Sequence, residues 1–325
     1  MSKTVVRLGV GELRHELAGT LHRVELGERV LIERHGAPIA ALIPVADYFG
    51  LAREGSVHSE AKRIIFTNIS GGEGKSFFTF HTAFALADMG LRVAVVDGDP
   101  QASLTKRLGL HDDPQSAAHL ASSTILAAFA CESGEAVLPE PMQVGNLAVW
   151  PANRFLSEAD GKISSDLSRV GNLREALIRR AGDFDYVLLD SKPGVSPLLS
   201  AVTAAAQHLI VPVSAAKGLE NLDELGRLVR LARQFSPEVG VRLFVPNRTR
   251  STNLSRGVQE QLRLYSTIAP LAPAVREATV GGEAESARIG VTRYAPKSVL
   301  AGDIRVLVSA LLEAVGTHVD QEVAR

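Results

Sequence analysis

Three groups of side chains able to handle a phosphorylated ligand follow one another along the chain. The first is Ser70-Gly71-Gly72-Glu73-Gly74-Lys75-Ser76, a glycine turn ending in a lysine and a hydroxyl. Glycines let the backbone curl so that successive N–H groups converge on phosphate oxygens. Lys75 would then reach the β- and γ-phosphates, and the Ser76 hydroxyl would ligate Mg²⁺. The second group is Asp97-Gly98-Asp99-Pro100-Gln101 and the third is Asp190. Two like charges as close as Asp97 and Asp99 are costly without a cation. A plain glycine-rich surface turn is the competing reading, and the flanking elements decide between the two.

Those elements favour chemistry. A β-rich run, Arg63 to Ile69, leads into the glycine turn, and a helix-like run, Phe77 to Met89, leads out of it. Leu91–Val96 is an apolar, β-branched run that ends at Asp97, and Tyr186–Leu189 has the pattern of a buried strand that ends at Asp190. Open α/β sheets place their chemistry at the C-terminal ends of such strands. Further strands are predicted at Leu147–Trp150, Leu209–Val213 and Val241–Val245, the last followed by Asn247-Arg248. Helices are predicted near Asn172–Arg180, from Leu219, and at Val299–Val315, with a less regular stretch from Gly109 to Pro141. This alternation predicts an α/β fold with a mainly parallel sheet and helices on both faces.

The first residues read differently. Leu13, Leu17, Leu21 and Val24 recur at helical spacing, and two β-like runs, Arg29–Glu33 and Ala37–Val45, flank a turn at Arg34-His35-Gly36. Residues 1–54 are therefore expected to form a small α+β domain, 55–62 a polar linker, and 63–325 the main domain.

Composition sets the outer limits. With 46% hydrophobic and 22% charged residues the chain reads as globular, and a net charge of −1 means that any nucleic-acid contact must come from a local patch. One cysteine, Cys131, cannot form an internal disulfide and points to a reducing compartment. Nine histidines show no metal-ligand spacing. Without a long apolar run or a signal-peptide core, a cytoplasmic protein that does not enter a membrane is expected.

The stretch VGELRHELAGTLHRVELGERVLIERHGAPIAALIPVADYFGL resembles the N-terminal domain of the Phd/YefM antitoxins. That resemblance implies dimerisation and operator DNA binding, with Arg14 and Arg34, seconded by His35, at the matching basic positions. The family's toxin-binding tail is missing, which speaks against toxin neutralisation.

From Arg63 onward the chain resembles the ParA/MinD (deviant Walker A) ATPases, most closely the ParA partition branch, through GGEGKS, GLRVAVVDGDPQASLT, DYVLLDSKPG, HLIVPVSAAKGLENL, RSTNLS and YAPKS. The resemblance implies an ATPase that uses ATP and Mg²⁺. Gly71, Gly72, Glu73, Gly74, Lys75, Ser76 and Phe77 would form the phosphate loop, and Asn247 would touch adenine. Asp99 would position the attacking water, Asp97 would stand in the outer shell of the metal, and Asp190 would complete its site. It further implies a nucleotide-sandwich homodimer that binds DNA without sequence preference, a ParB-like or other centromere-binding stimulator, and a nucleoid-associated location. Arg250, Arg256, Arg276 and Arg288 are the candidate DNA contacts. Two pairing interfaces in one chain would allow higher oligomers or filaments.

Three positions depart from the family pattern. Ser70 stands where the family has its signature lysine, Phe77 where a second hydroxyl is usual, and Lys192 where a proline usually follows the strand-end aspartate. Loss of the lysine predicts slow hydrolysis, with Lys192 as a candidate replacement cation. The alternative is a nucleotide-sensing transcriptional regulator with little or no hydrolysis. A tyrosine-kinase-like reading lacks a tyrosine-rich tail, and a MinD-type membrane ATPase lacks a basic amphipathic terminal helix.

Overall fold

Val93–Gly98 (β5) and Tyr186–Ser191 (β8) bury every residue, the signature of strands covered on both faces. They lie in a computed structural model that describes residues 5–34, 36–44, 47, 60–249 and 253–316. The chain divides into two units, a smaller one of residues 1–59 with 89–91 and a larger one of residues 60–88 and 92–325.

The larger unit carries a seven-stranded sheet. Its remaining strands are Lys62–Phe66 (β4), Met142–Val144 (β6), Leu147–Trp150 (β7), His208–Val213 (β9) and Gly240–Pro246 (β10). The order is β10-β9-β4-β8-β5-β7-β6, parallel throughout except for the short edge strand β6. Period-2 alternation splits the strand residues between two cores. Ile65, Val96, Val187 and Leu189 join Leu173, Leu177, Leu198, Val202, Leu225 and Leu228. Those partners come from helices Asn172–Arg179 (α6), Pro197–Ala205 (α7) and Leu222–Ala232 (α9). The alternate residues Ile64, Phe66, Val95 and Leu188 are equally buried. Phe66 stacks on Phe78 of helix Lys75–Asp88 (α2) with centroids 5.9 Å apart, and α2 packs on the closing helix Val299–Ala314 (α13).

The mainly parallel sheet with helices on both faces is thus as expected, with shifted boundaries. β4 stops at Phe66 rather than Ile69, and α2 starts at Lys75 rather than Phe77. The sequence reading missed α7, although Ser196 caps it by accepting the Leu199 N–H (3.1 Å) and Pro197 opens it. The irregular stretch Gly109–Pro141 holds one short helix, Leu126–Ala130 (α4), among 3₁₀ turns.

The smaller unit runs Val5–Gly9 (β1), Val10–Glu25 (α1), Arg29–Arg34 (β2) and Ala37–Leu42 (β3). β1 pairs parallel with β2 and was not anticipated, whereas the β2–β3 hairpin was, with Gly36 at φ 78° in its turn. The Gly9 N–H donates to Glu12 Oε2 (2.7 Å) and fastens the start of α1. Among its described residues Thr20, Val24, Val30 and Ile32 are buried, while Leu17 and Leu21 stay exposed. Most of the expected linker, with His35, Tyr48 and Phe49, lies outside the described residues.

Candidate functional site

Register brings the chemistry to one edge of the sheet. Phe66 at the end of β4 pairs with Asp190 in β8, and Asp190 pairs with Asp97 in β5. Beyond Phe66 the chain leaves the sheet, and Asn68 shapes its exit. Asn68 Nδ2 donates to the Pro212 carbonyl (3.0 Å) and its Oδ1 accepts the Ser70 N–H (2.9 Å). Gly72 and Gly74 then adopt φ of 84° and 96°, where a residue with a β-carbon is strained.

Two side chains brace the turn against neighbouring strand ends. Asn247, just past β10, donates from Nδ2 to the Glu73 carbonyl (2.8 Å), and its Oδ1 accepts the Arg248 N–H (2.7 Å). A β-carbon on Gly74 would lie 2.4 Å from Asn247 Nδ2. The Glu73 carboxylate turns away from the cavity: Oε2 accepts from the Ser214 N–H (2.5 Å) and hydroxyl (2.9 Å) at the end of β9. In this structure the Glu73 side chain is therefore a brace, and Asn247 spends its amide on the loop.

Lys75, at the first position of α2, is buried. Its Nζ folds back on the carbonyls of Asn68 (3.1 Å) and Ser70 (2.8 Å). Burial lowers its pKa, against the opposing charges of Asp190, Glu73 and Asp99. A buried ammonium held by carbonyls at a helix N-terminus is suited to an anion.

Asp190 is fully buried. Its Oδ1 accepts the Ser191 N–H (2.9 Å), whereas Oδ2 meets no hydrogen-bond partner. Burial first, then the Asp97 charge, raises its pKa, while Ser76 and Lys75 pull it back. An orphaned carboxylate oxygen beside the Ser76 side chain fits a hard divalent cation. Among the described residues no cluster of three Asp, Glu, His or Cys could hold a metal unaided. The donor set thus suits Mg²⁺ that draws its remaining oxygens from phosphate and water.

Asp97 is occupied otherwise. Its Oδ1 accepts the Asp99 N–H (3.1 Å), and Oδ2 accepts the Thr105 N–H (2.9 Å) and hydroxyl (2.6 Å). It shapes the turn from Asp99 to helix Ser103–Arg107 (α3) and does not line the cavity. Asp99 does line it, and its Oδ1 accepts the Gln101 N–H (2.9 Å).

The cavity holds about 410 Å³. Gly71, Gly72, Gly74, Lys75, Ser76, Phe77, Asp99 and Asn247 line it, together with Arg107, Glu277, Gly282, Glu285 and Leu300. Helix Val280–Ser286 (α11) supplies Gly282 and Glu285. The Phe77 ring sits against Gly281, where a β-carbon would lie 2.8 Å away, and meets the His81 ring edge-on at 4.4 Å. The sequence reading passed over Arg107 and Glu285. Arg107 lies one helical turn beyond Ser103, on the same face, which is the signal that could have found it.

Several expected residues fall elsewhere. Lys192 does not line the cavity: its Nζ is 2.7 Å from Asp160 Oδ2, so a neighbouring helix (Glu158–Ser165, α5) holds it. The replacement-cation reading is corrected on that geometry. Ser70 donates to the Lys217 carbonyl (2.9 Å) and accepts from Asn221 Nδ2 (2.7 Å). Arg276 grips Asp303 through two nitrogens (2.9 and 2.5 Å) at the rim of the cavity, and Arg288 pairs with Asp112. Arg256 is exposed on helix Asn253–Arg263 (α10), and Arg250 lies outside the described residues. Arg14 and Arg34 are exposed on the smaller unit.

Comparison with known proteins agrees with this geometry. A family model described as AAA domain matches residues 61–238. The chromosome partitioning protein ParA of Myxococcus xanthus is 27% identical over 205 residues, 62% of this chain and 70% of that protein. A probable plasmid-partitioning protein ParA of Thermus thermophilus is 30% identical over 218 residues, 64% of each chain. Among solved structures, apo McdA of Cyanothece superposes with a TM-score of 0.66 at 22% identity, over 77% of this chain and 99% of that one. With a phosphate-type loop at the C-terminal edge of a mainly parallel sheet, and a family match across more than half its length, the chain belongs to the AAA domain family.

Proposed function

We propose that this chain binds and hydrolyses ATP with Mg²⁺ at the Lys75 site and serves DNA partition as a nucleotide-controlled dimer. The observation that carries the reading is the buried Lys75 ammonium, folded onto two carbonyls beside the orphaned oxygen of Asp190. A triphosphate with its metal satisfies both groups at once. Lys75 would bind the terminal phosphates, Ser76 and Asp190 would hold the cation, and Asp99 in the cavity wall would orient the attacking water. When bound, Mg²⁺ would neutralise charge on the phosphate oxygens. The names of the two ParA relatives support the process.

Two chains would pair around nucleotide, the paired form would hold DNA without sequence preference, and a ParB-like stimulator would trigger hydrolysis. Arg250, Arg256, Arg276 and Arg288 are the DNA contacts of this reading, in a nucleoid-associated cytoplasmic protein. Arg276 and Arg288 would have to leave their carboxylates first. The smaller unit acts as a Phd/YefM-like module. Exposed Leu17 and Leu21 support pairing with a second copy, and exposed Arg14 and Arg34 support operator contact.

Calorimetry of the full chain with ATP and Mg²⁺ tests the core of this reading. Wild type is expected to bind, and Lys75→Ala to lose about 100-fold or more in affinity. Absence of binding in the wild type overturns it. ATP-dependent binding to arbitrary duplex DNA, set against ATP-independent binding to the protein's own promoter, separates the two DNA roles.

Ser70 supports a second reading, a nucleotide-sensing regulator that hydrolyses little. Its short side chain is tied to Lys217 and Asn221 and brings no charge to a neighbouring site. Turnover at rates ordinary for an ATPase would eliminate that alternative.

A further inference from the structure

Arg107 is a cation of the cavity to which neither the glycine turn nor the aspartate motifs give a role. It ends α3, and it shares the cavity with Lys75, Ser76, Asp99 and, one turn earlier, Ser103. Its Nη1 donates to Glu285 Oε1 at 2.9 Å. Arg107 and Glu285 thus join two stretches of chain 178 positions apart.

Glu285 is an unusual partner to find there. Its side chain is only 15% exposed, and burial raises its pKa while Arg107 opposes the rise. A carboxylate aimed into a cavity that also holds Asp99 and Glu277 would repel an incoming polyphosphate. Arg107 masks that charge when no ligand is bound, and the guanidinium retains N–H groups beyond the one used by Glu285. A second ion pair, Arg288 with Asp112, joins the same two stretches with the charges reversed. It does not depend on the cavity, so the walls remain tied if the first pair opens.

We propose that Arg107 is a phosphate-binding residue, and that Glu285 holds it in reserve until a nucleotide phosphate takes the carboxylate's place. This rests on the nucleotide reading above and goes beyond it by naming a residue and a competitor outside the loop. The planar fork of arginine suits carboxylate and phosphate alike, so an exchange between them requires little rearrangement.

The two partners then have opposite effects. Calorimetry of the full chain with ATP and Mg²⁺ should show Arg107→Ala weakening affinity about tenfold, with Arg107→Lys intermediate. Glu285→Gln should tighten binding about threefold by removing the competing charge. A pair that merely staples two segments would shift both variants in the same direction, so parallel weakening overturns the proposal. Wild-type affinity in Arg107→Ala, while Lys75→Ala loses binding, also overturns it and leaves the nucleotide reading standing. If wild type itself fails to bind ATP, the nucleotide reading falls and takes this one with it. Thermal melts of ligand-free Arg107→Lys and Glu285→Gln establish that both variants are folded.

Discussion

Asn247 Nδ2 stands 2.8 Å from the Glu73 carbonyl, so a residue 174 positions downstream holds the phosphate loop by its backbone. The same nitrogen closes off the space above Gly74. Gly74→Ala therefore meets both a clash and a positive φ, and should cost about 1–3 kcal/mol of stability together with most of the ATP affinity. Asn247→Ala should leave the fold intact and weaken ATP severalfold. Thermal melts beside calorimetry check both, and unchanged affinity in Asn247→Ala would remove the bracing role.

Asp190→Asn separates metal from nucleotide. The buried carboxylate costs stability without a cation, so the amide should raise the melting temperature of ligand-free protein by about 2–4 °C. It should also abolish the gain in ATP affinity that Mg²⁺ confers. Titrations of ATP with and without Mg²⁺ decide the point: a gain equal to that of wild type excludes Asp190 from the metal site.

Lys192 and Ser70 carry opposite expectations. Lys192 is committed to Asp160, whose other oxygen accepts the Leu198 N–H (2.8 Å). Lys192→Ala should cost about 1 kcal/mol or less in stability and leave ATP turnover unchanged. Ser70→Lys should raise turnover by restoring a cation at the loop. Steady-state hydrolysis assays measure both, and a drop in turnover for Lys192→Ala would assign Lys192 a replacement role after all.

Acid should destabilise the protein through His81 and His208. Burial, aided by nearby arginines, pulls the His81 pKa to about 3 and that of His208 to about 4. In both cases the unfolded chain binds a proton more readily than the folded one, so stability rises with pH across the interval between the folded and unfolded values. It is fully present above about pH 6.5 and is lost as pH falls toward 4, by up to about 1.4 kcal/mol per pH unit for each histidine. Buried Asp97 and Asp190, raised to about 6 and about 7, contribute the opposite slope, so denaturant melts at pH 7, 6 and 5 isolate the histidine slope as a difference between wild type and a variant. His81→Phe, whose ring can keep the contact with Phe77, should flatten it.

Which parts of the molecule could be read from the chain follows from how local each signal is. Strands β5 and β8 carry Asp97 and Asp190 one residue before their ends, after unbroken apolar runs, so their type and place were plain. α7 was missed because Leu198–Ala205 is buried all round and mostly apolar, which erases the 3.6-residue period. At the site, Lys75, Ser76, Asp99 and Asp190 announce themselves through motif and position. Glu73 and Asp97 share those motifs, yet spend their oxygens on Ser214 and Thr105, partners that only the tertiary fold supplies. The partner of Lys192 and the pairing of Arg107 with Glu285 were hidden for the same reason: each joins distant stretches, and nothing in either stretch names the other.

Lys62, in the opening strand of the larger unit, donates from Nζ to the Val315 carbonyl at 2.9 Å, just past the last turn of α13. The first and last elements of that unit are thus fastened to each other. Excising the leading module should then leave a self-sufficient remainder. Any difference between the shortened and the intact protein would report on what the module contributes, and not on a broken scaffold.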